Sequence, residues 1–210
     1  HNIEKKFIQS ENKLVSWYFE KNSDYKTILF FHGNAGKLDN RVYKLNELSK
    51  LEINYLIIAY RGFSGNEGKP TESGLYEDAK SAKIWLNNNG VKDKDIIIYG
   101  ESLGTAVAVD LASKHKFAGI ILESPFTSMT RLAQKYYPIF PVKIILKDKF
   151  DSINKIQKIN SPTHGLAEIS VGNTIYELYG YDGCDSKTKG HDVHVFLESR
   201  GFGQENQGHL

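Results

Sequence analysis

The sequence predicts a doubly wound α/β sheet, mostly parallel, with helices on both faces. Three observations carry this expectation. Near-continuous apolar runs recur along the chain, as in "TILFFHG", "INYLIIAYRG", "DIIIYG" and "FAGIILES". Runs apolar on both faces suit central parallel strands covered from both sides. Helical patterns fill the gaps between them, the alternation expected of right-handed crossovers. Finally, "IIIYGESLGTAVAVDLA" passes directly from a buried run into a small-residue helix through a serine set between two glycines.

Taken in order, "FIQS" and "LVSWYFE" read as short strands joined by a turn at Glu11-Asn12. The run from Thr27 to Gly33 is followed by "NRVYKLNELSK", with Val42, Leu45 and Leu48 at helical spacing. The run from Ile53 to Gly62 leads through "RGFSGNEGKPTE", a turn and helix start with Ser73 or Thr71 as cap. The helix "SGLYEDAKSAKIWLNNNG" stops at Gly90. "LGTAVAVDLASKH" follows the third run, and the fourth ends at Ser124. Beyond it "MTRLAQKYYPIFPVKIILKDKF" reads as an irregular helical insert and "DSINKIQKINSP" as a short amphipathic helix. After Pro162 no clean apolar strand is expected.

The 210 residues fit a single domain, 1–210, large enough for a substantial core. A net charge of +2, with lysines scattered rather than massed, argues against a nucleic-acid partner. Cys184 is the sole cysteine, so no internal disulfide forms. No run reaches the roughly 18 apolar residues needed to span a bilayer. The chain opens on His1 rather than Met. Membrane association is therefore expected only through a missing N-terminal segment, and a cytoplasmic or membrane-associated location is favoured.

The spelling Gly100-Glu101-Ser102-Leu103-Gly104 is G-x-S-x-G, which alone is a modest signal. Its setting between strand and helix is that of a nucleophile elbow, with Ser102 exposed at the C-terminal edge of the sheet. The competing reading is a serine that caps the following helix. "FFHGNAG" sits at the end of the first long run, where free backbone N–H groups would face a developing oxyanion. Asn34 or Ala35 would supply one such group and Leu103 the other, unless this is an ordinary glycine-rich turn. His32 precedes the nucleophile in chain order and is expected to be structural.

Together "FFHGNAG", "YRGFSGNEGKPTE", "YGESLGTAVAVDLA" and "ESPFTS" resemble the α/β-hydrolase superfamily over residues from about 12 to 162. More narrowly they resemble its bud-emergence-type branch, which includes serine acyl hydrolases and protein depalmitoylase-like members. The resemblance implies an α/β-hydrolase fold, a Ser-acid-His triad and no cofactor or metal. In a hydrolase the segment 125–150 would be a lid or cap, with Tyr136, Tyr137, Ile139, Phe140, Val142 and Ile145 near the mouth; the alternative reading is a packed excursion on the sheet. The segment 163–210 departs from the family pattern and is expected to be shortened or atypical.

A serine hydroxyl needs a base to take its proton. His191, in "GHD", matches the family's histidine loop and is favoured over His194, while His115 and His209 read as surface groups. Glu168 falls where the family's acid belongs. Asp182, Asp185 and Glu123 stay open. Cys184 lacks a strand-turn-helix setting. The expected activity is hydrolysis of a small acyl ester or thioester through an acyl-enzyme, with peptide cleavage a sub-option. A second expectation, prompted by the stretch after Pro162 and the polar ending "GQENQGHL", is a catalytically silent fold that binds a partner or lipid.

Overall fold

The structure, a computed structural model, describes residues 3–35, 37–137, 140–171, 174–181 and 196–201. Its centre is one sheet in the order β1-β2-β4-β3-β5-β6-β7-β8-β9. The strands are β1 Glu4–Gln9, β2 Lys13–Phe19, β3 Thr27–Phe31, β4 Asn54–Ile58, β5 Ile96–Glu101, β6 Gly119–Glu123, β7 Thr163–Val171, β8 Thr174–Tyr181 and β9 Phe196–Gly201. The block from β4 to β7 is parallel, and four of its strands, β3, β4, β5 and β6, are the apolar runs of the sequence. β1, β2, β8 and β9 add antiparallel margins.

Alternation along the central strands sorts their side chains into two cores. In β3, Ile28 and Phe30 join Leu38, Leu45, Tyr55 and Ile57 beneath α1 (Val42–Lys50). Leu29 and Phe31 face the other way, into a core shared with α2 (Glu72–Asn88) and α3 (Leu103–Ala112). Helices thus cover both faces, and Phe30 and Phe31 have no exposed surface. Burial of this kind contributes about 1.5–3 kcal/mol per large apolar side chain. Helix α2 begins at its expected cap, where Thr71 Oγ1 accepts from the Gly74 N–H at 3.2 Å.

Two segments refine the sequence expectation. The insert forms α4 (Met129–Tyr136), capped by Ser128, and α5 (Val142–Ile145). A single turn, α6 (Ile153–Ile156), follows. After Pro162 the chain does enter the sheet: Thr163 to Leu166 pair with Ile120 to Glu123. Strand pairing uses backbone groups that every non-proline residue carries, so a stretch containing His164 and Gly165 can extend a sheet without an apolar run. β7 then continues into an antiparallel ribbon with β8 and β9, the atypical C-terminal part.

Candidate active site

The hydrogen-bonded row Glu101–Glu123–Leu166 crosses β5, β6 and β7 at the C-terminal edge of the sheet. Ser102 is the next residue after that row. Its φ of +50° and ψ of −112° lie where non-glycine residues are rarely found, at a cost of about 1–3 kcal/mol. The Ser102 N–H is held by the Glu123 carbonyl at 2.9 Å. Its side chain is exposed and makes no capping hydrogen bond, so the helix-cap alternative is not what the geometry shows.

The flanking glycines explain how the turn is closed. A Cβ on Gly100 would meet the Gly104 carbonyl oxygen at 2.6 Å, and one on Gly104 would lie 1.9 Å from the Phe31 carbonyl oxygen. Helix α3 therefore rests directly on the backbone of β3. Leu103 is the first residue of that helix, a position whose N–H has no intrahelical acceptor.

The loop after β3 comes up against the same turn. A Cβ on Gly33 would stand 3.3 Å from Ser102 Cβ and 3.2 Å from a Glu101 carboxylate oxygen. Asn34 and Ala35 follow in an exposed bend. His32 is buried, and its Nδ1 lies 2.7 Å from the Gly33 carbonyl oxygen, consistent with an N–H donated to it. Its Nε2 has no hydrogen-bond partner among the described residues. Burial pushes the His32 pKa down, so the imidazole stays neutral.

Sequence reasoning missed a cluster of charges beside the elbow. Arg41 Nη2 and Nε donate to the two oxygens of Glu101 at 2.8 and 3.1 Å, and Nη1 donates to the Ala35 carbonyl at 2.9 Å. Lys44, one helical turn on, lies 2.5 Å from Glu123 and 3.4 Å from Glu101. Tyr99 also donates to Glu123. Burial would raise the Glu123 pKa, but the Lys44 ammonium and Tyr99 hydroxyl bring it below its ordinary value. Glu123 is thus engaged with α1. The available signal was the acid immediately before Ser102, together with two cations three residues apart where α1 begins.

Glu168 lies two residues beyond Leu166 in β7, at the same edge as Ser102 and opposite Glu177 of β8. β5 and β7 are separated by two strand spacings, or about 10 Å. His191, Asp182, Asp185, Cys184, His194 and His209 lie outside the described residues.

The family described as "Alpha/beta hydrolase of unknown function (DUF1057)" matches residues 4–140. An uncharacterized protein of Mycobacterium tuberculosis is 38% identical over 162 residues, covering 76% of this chain and 58% of that protein. Human alpha/beta hydrolase domain-containing protein 17B is 37% identical over 164 residues, covering 72% and 54%. The chain thus spans little more than half the length of these relatives. Among solved structures, an alpha-beta hydrolase from Vibrio vulnificus superposes with a TM-score of 0.67 at 26% identity, covering 79% of this chain and 63% of that one. The esterase Pf2001 of Pyrococcus furiosus gives 0.61 at 25%, covering 77% and 69%.

Proposed function

Because the chain belongs to the alpha/beta hydrolase family matched over residues 4–140, we propose that it is a serine hydrolase of carboxylic esters or thioesters. The observation that carries this reading is Ser102: a strained, exposed serine between β5 and α3, with Gly33, at the start of the loop after β3, close against it. Holding a serine at positive φ costs stability and suits a hydroxyl that must be presented to a substrate.

In this reading Ser102 Oγ attacks the acyl carbon as His191 takes its proton. The developing oxyanion is met by the Leu103 N–H and by one from Asn34 or Ala35. The protonated His191 gives its proton to the departing alcohol or thiol, leaving an acyl-Ser102 ester. Water, deprotonated by His191, then releases the acid. Glu168 orients the imidazole, a role its place two residues beyond the Leu166 row favours, with Asp182 and Asp185 the other carboxylates near His191 in sequence. No cofactor or metal enters this chemistry.

The narrower assignment to the bud-emergence-type branch, with depalmitoylase-like thioester substrates, rests on the resemblance of the four loops "FFHGNAG", "YRGFSGNEGKPTE", "YGESLGTAVAVDLA" and "ESPFTS". In the same reading residues 125–150 cover the acyl site, and the partner is a small acyl substrate rather than nucleic acid.

A fluorophosphonate probe tests the proposal. Wild type should be labelled covalently, and Ser102→Ala should not. Labelling of both to the same extent overturns the assignment of Ser102. A cooperatively melting wild type that is never labelled favours the silent binding fold.

A further inference from the structure

We infer that Arg41 is a positioning residue, clamping the Asn34–Ala35 loop to the nucleophile elbow through Glu101; this rests on the hydrolase reading of Ser102. The guanidinium makes a two-point contact with Glu101, the residue before Ser102, and a third contact with the Ala35 carbonyl. Both side chains are mostly withdrawn from solvent, at 11% and 21% exposure. One planar group therefore ties together the two segments that would supply the oxyanion donors.

The loop needs such a tie. Asn34 and Ala35 are exposed and belong to neither helix nor strand. Donors stabilise an oxyanion well only when held in place beforehand. A carbonyl fixed on a guanidinium anchors the residue that carries it, so only the φ and ψ of Ala35 separate its own N–H from the held group. Glu101 in turn sits in the last paired row of β5, which anchors the fork to the centre of the sheet. Lys44 reaches both Glu101 and Glu123, extending the tie to β6, whose carbonyl holds the Ser102 N–H.

Charge alone would make a different prediction from clamping. If Arg41 acted as a cation on the oxyanion, Arg41→Lys would retain most activity and Glu101→Gln would leave the reaction as fast or faster. If it acts as a fork, both changes release the loop. A lysine cannot reproduce three directed contacts.

The experiment measures the second-order rate constant for fluorophosphonate labelling of Ser102. Hydrolysis of p-nitrophenyl butyrate is followed alongside, in wild type, Arg41→Lys, Arg41→Gln, Glu101→Gln and the Arg41→Gln/Glu101→Gln pair. Each rate is normalised to the folded fraction, so a loss of stability alone does not move it. Arg41→Lys, Arg41→Gln and Glu101→Gln should each slow labelling about tenfold or more, less than the loss of an entire oxyanion donor. kcat should fall with KM little changed. The double variant should be no slower than the worse single one, the non-additivity of residues acting as one unit. Wild-type rates in Arg41→Lys or Glu101→Gln would overturn the clamp while leaving Ser102 in place. Failure to label wild type would overturn the hydrolase reading, and the positioning role of Arg41 with it.

Discussion

Glu72 and Asp148 cap one another's chain. The Glu72 N–H, in the first turn of α2, donates to Asp148 Oδ1 at 2.8 Å, while Glu72 Oε2 accepts from the N–H groups of Lys149 and Phe150 at 2.7 and 3.0 Å. Below them, Met129 N–H donates to the Lys149 carbonyl and Ser152 N–H to that of Thr127. The insert carrying α4 and α5 is thereby closed at its neck. Hydrogen bonds to charged groups contribute about 1.5–3 kcal/mol each at most, and the partial exposure of Glu72 reduces this. Glu72→Ala should destabilise the protein by about 2 kcal/mol in urea and speed proteolysis within 128–149. An unchanged cleavage pattern would show that the neck is held elsewhere.

Arg61 and Asp78 form a buried ion pair with side-chain exposures of 8% and 0%. The Asp78 carboxylate also accepts from the Arg61 N–H and from Ser10. Removing Asp78 leaves the buried Arg61 guanidinium paired to the largely exposed Glu11, so Asp78→Ala should cost about 3 kcal/mol, the lower end for breaking a buried pair. Arg61→Leu/Asp78→Leu should cost less than the sum of its single changes. Strict additivity in denaturant melts would contradict this coupling.

His32 makes native stability depend on pH. Burial holds its native pKa below the unfolded value, near 6.5. Unfolding therefore takes up a proton as pH falls below that value. The contribution is complete above about pH 6.5 and declines on acidification toward the native pKa. Burial shifts His115 in the same direction, so the informative quantity is a difference. His32→Asn keeps a donor for the Gly33 carbonyl but cannot titrate. Urea melts between pH 7 and pH 5 should show wild type losing more stability than His32→Asn. Parallel curves would rule out His32 as the source.

If His191 is the base, His191→Ala should reduce ester turnover by orders of magnitude, with His194→Ala and His209→Ala nearly silent. Activity should rise through roughly pH 6 to 7, because the neutral imidazole is the required form. Glu168→Gln should have a smaller effect, and no effect would move the orienting role to Asp182 or Asp185. A crippling His194→Ala would show that the C-terminal loop was read in the wrong place.

What was legible in the sequence follows from what patterning encodes. Hydrophobic runs such as Thr27 to Phe31 declare a strand buried on both sides, and Gly100 and Gly104 announce a close approach that only glycine permits. The strand beginning at Thr163 was missed because its pairing to β6 uses backbone groups that leave no mark in the sequence pattern. Arg41 was missed for a related reason: its partners lie 60 residues away at Glu101 and six away at Ala35. Such long-range pairings leave no periodic mark. Ser102 was visible because the strain and both of its close glycines are local.

The last prediction uses that locality. A methyl group at Gly104 would overlap the Phe31 carbonyl oxygen, at 1.9 Å, and crowd that of His32 at 3.0 Å. Neither obstacle is a side-chain end that could swing aside. Phe31 is paired on both sides, to Ile58 and Gly100, so β3 cannot yield without disturbing the sheet. Helix α3 must move away, carrying Leu103 and Ser102 with it, while the Gly33–Ala35 loop stays with β3. Gly104→Ala should therefore cost at least the 1–3 kcal/mol typical of overpacking. It should also separate Leu103 from the Asn34–Ala35 loop, the two segments proposed to supply the oxyanion donors. A misplacement of about 1 Å at reacting groups can cost about 100-fold in rate, so labelling of Ser102 in the folded fraction should slow by about that factor. Ala106, two residues further along α3 and already buried in the core, provides the contrast: Ala106→Gly should lower stability by about 1 kcal/mol and leave the labelling rate of folded protein near wild type. Equal labelling rates for Gly104→Ala and wild type would show that the elbow does not depend on the contact between α3 and β3.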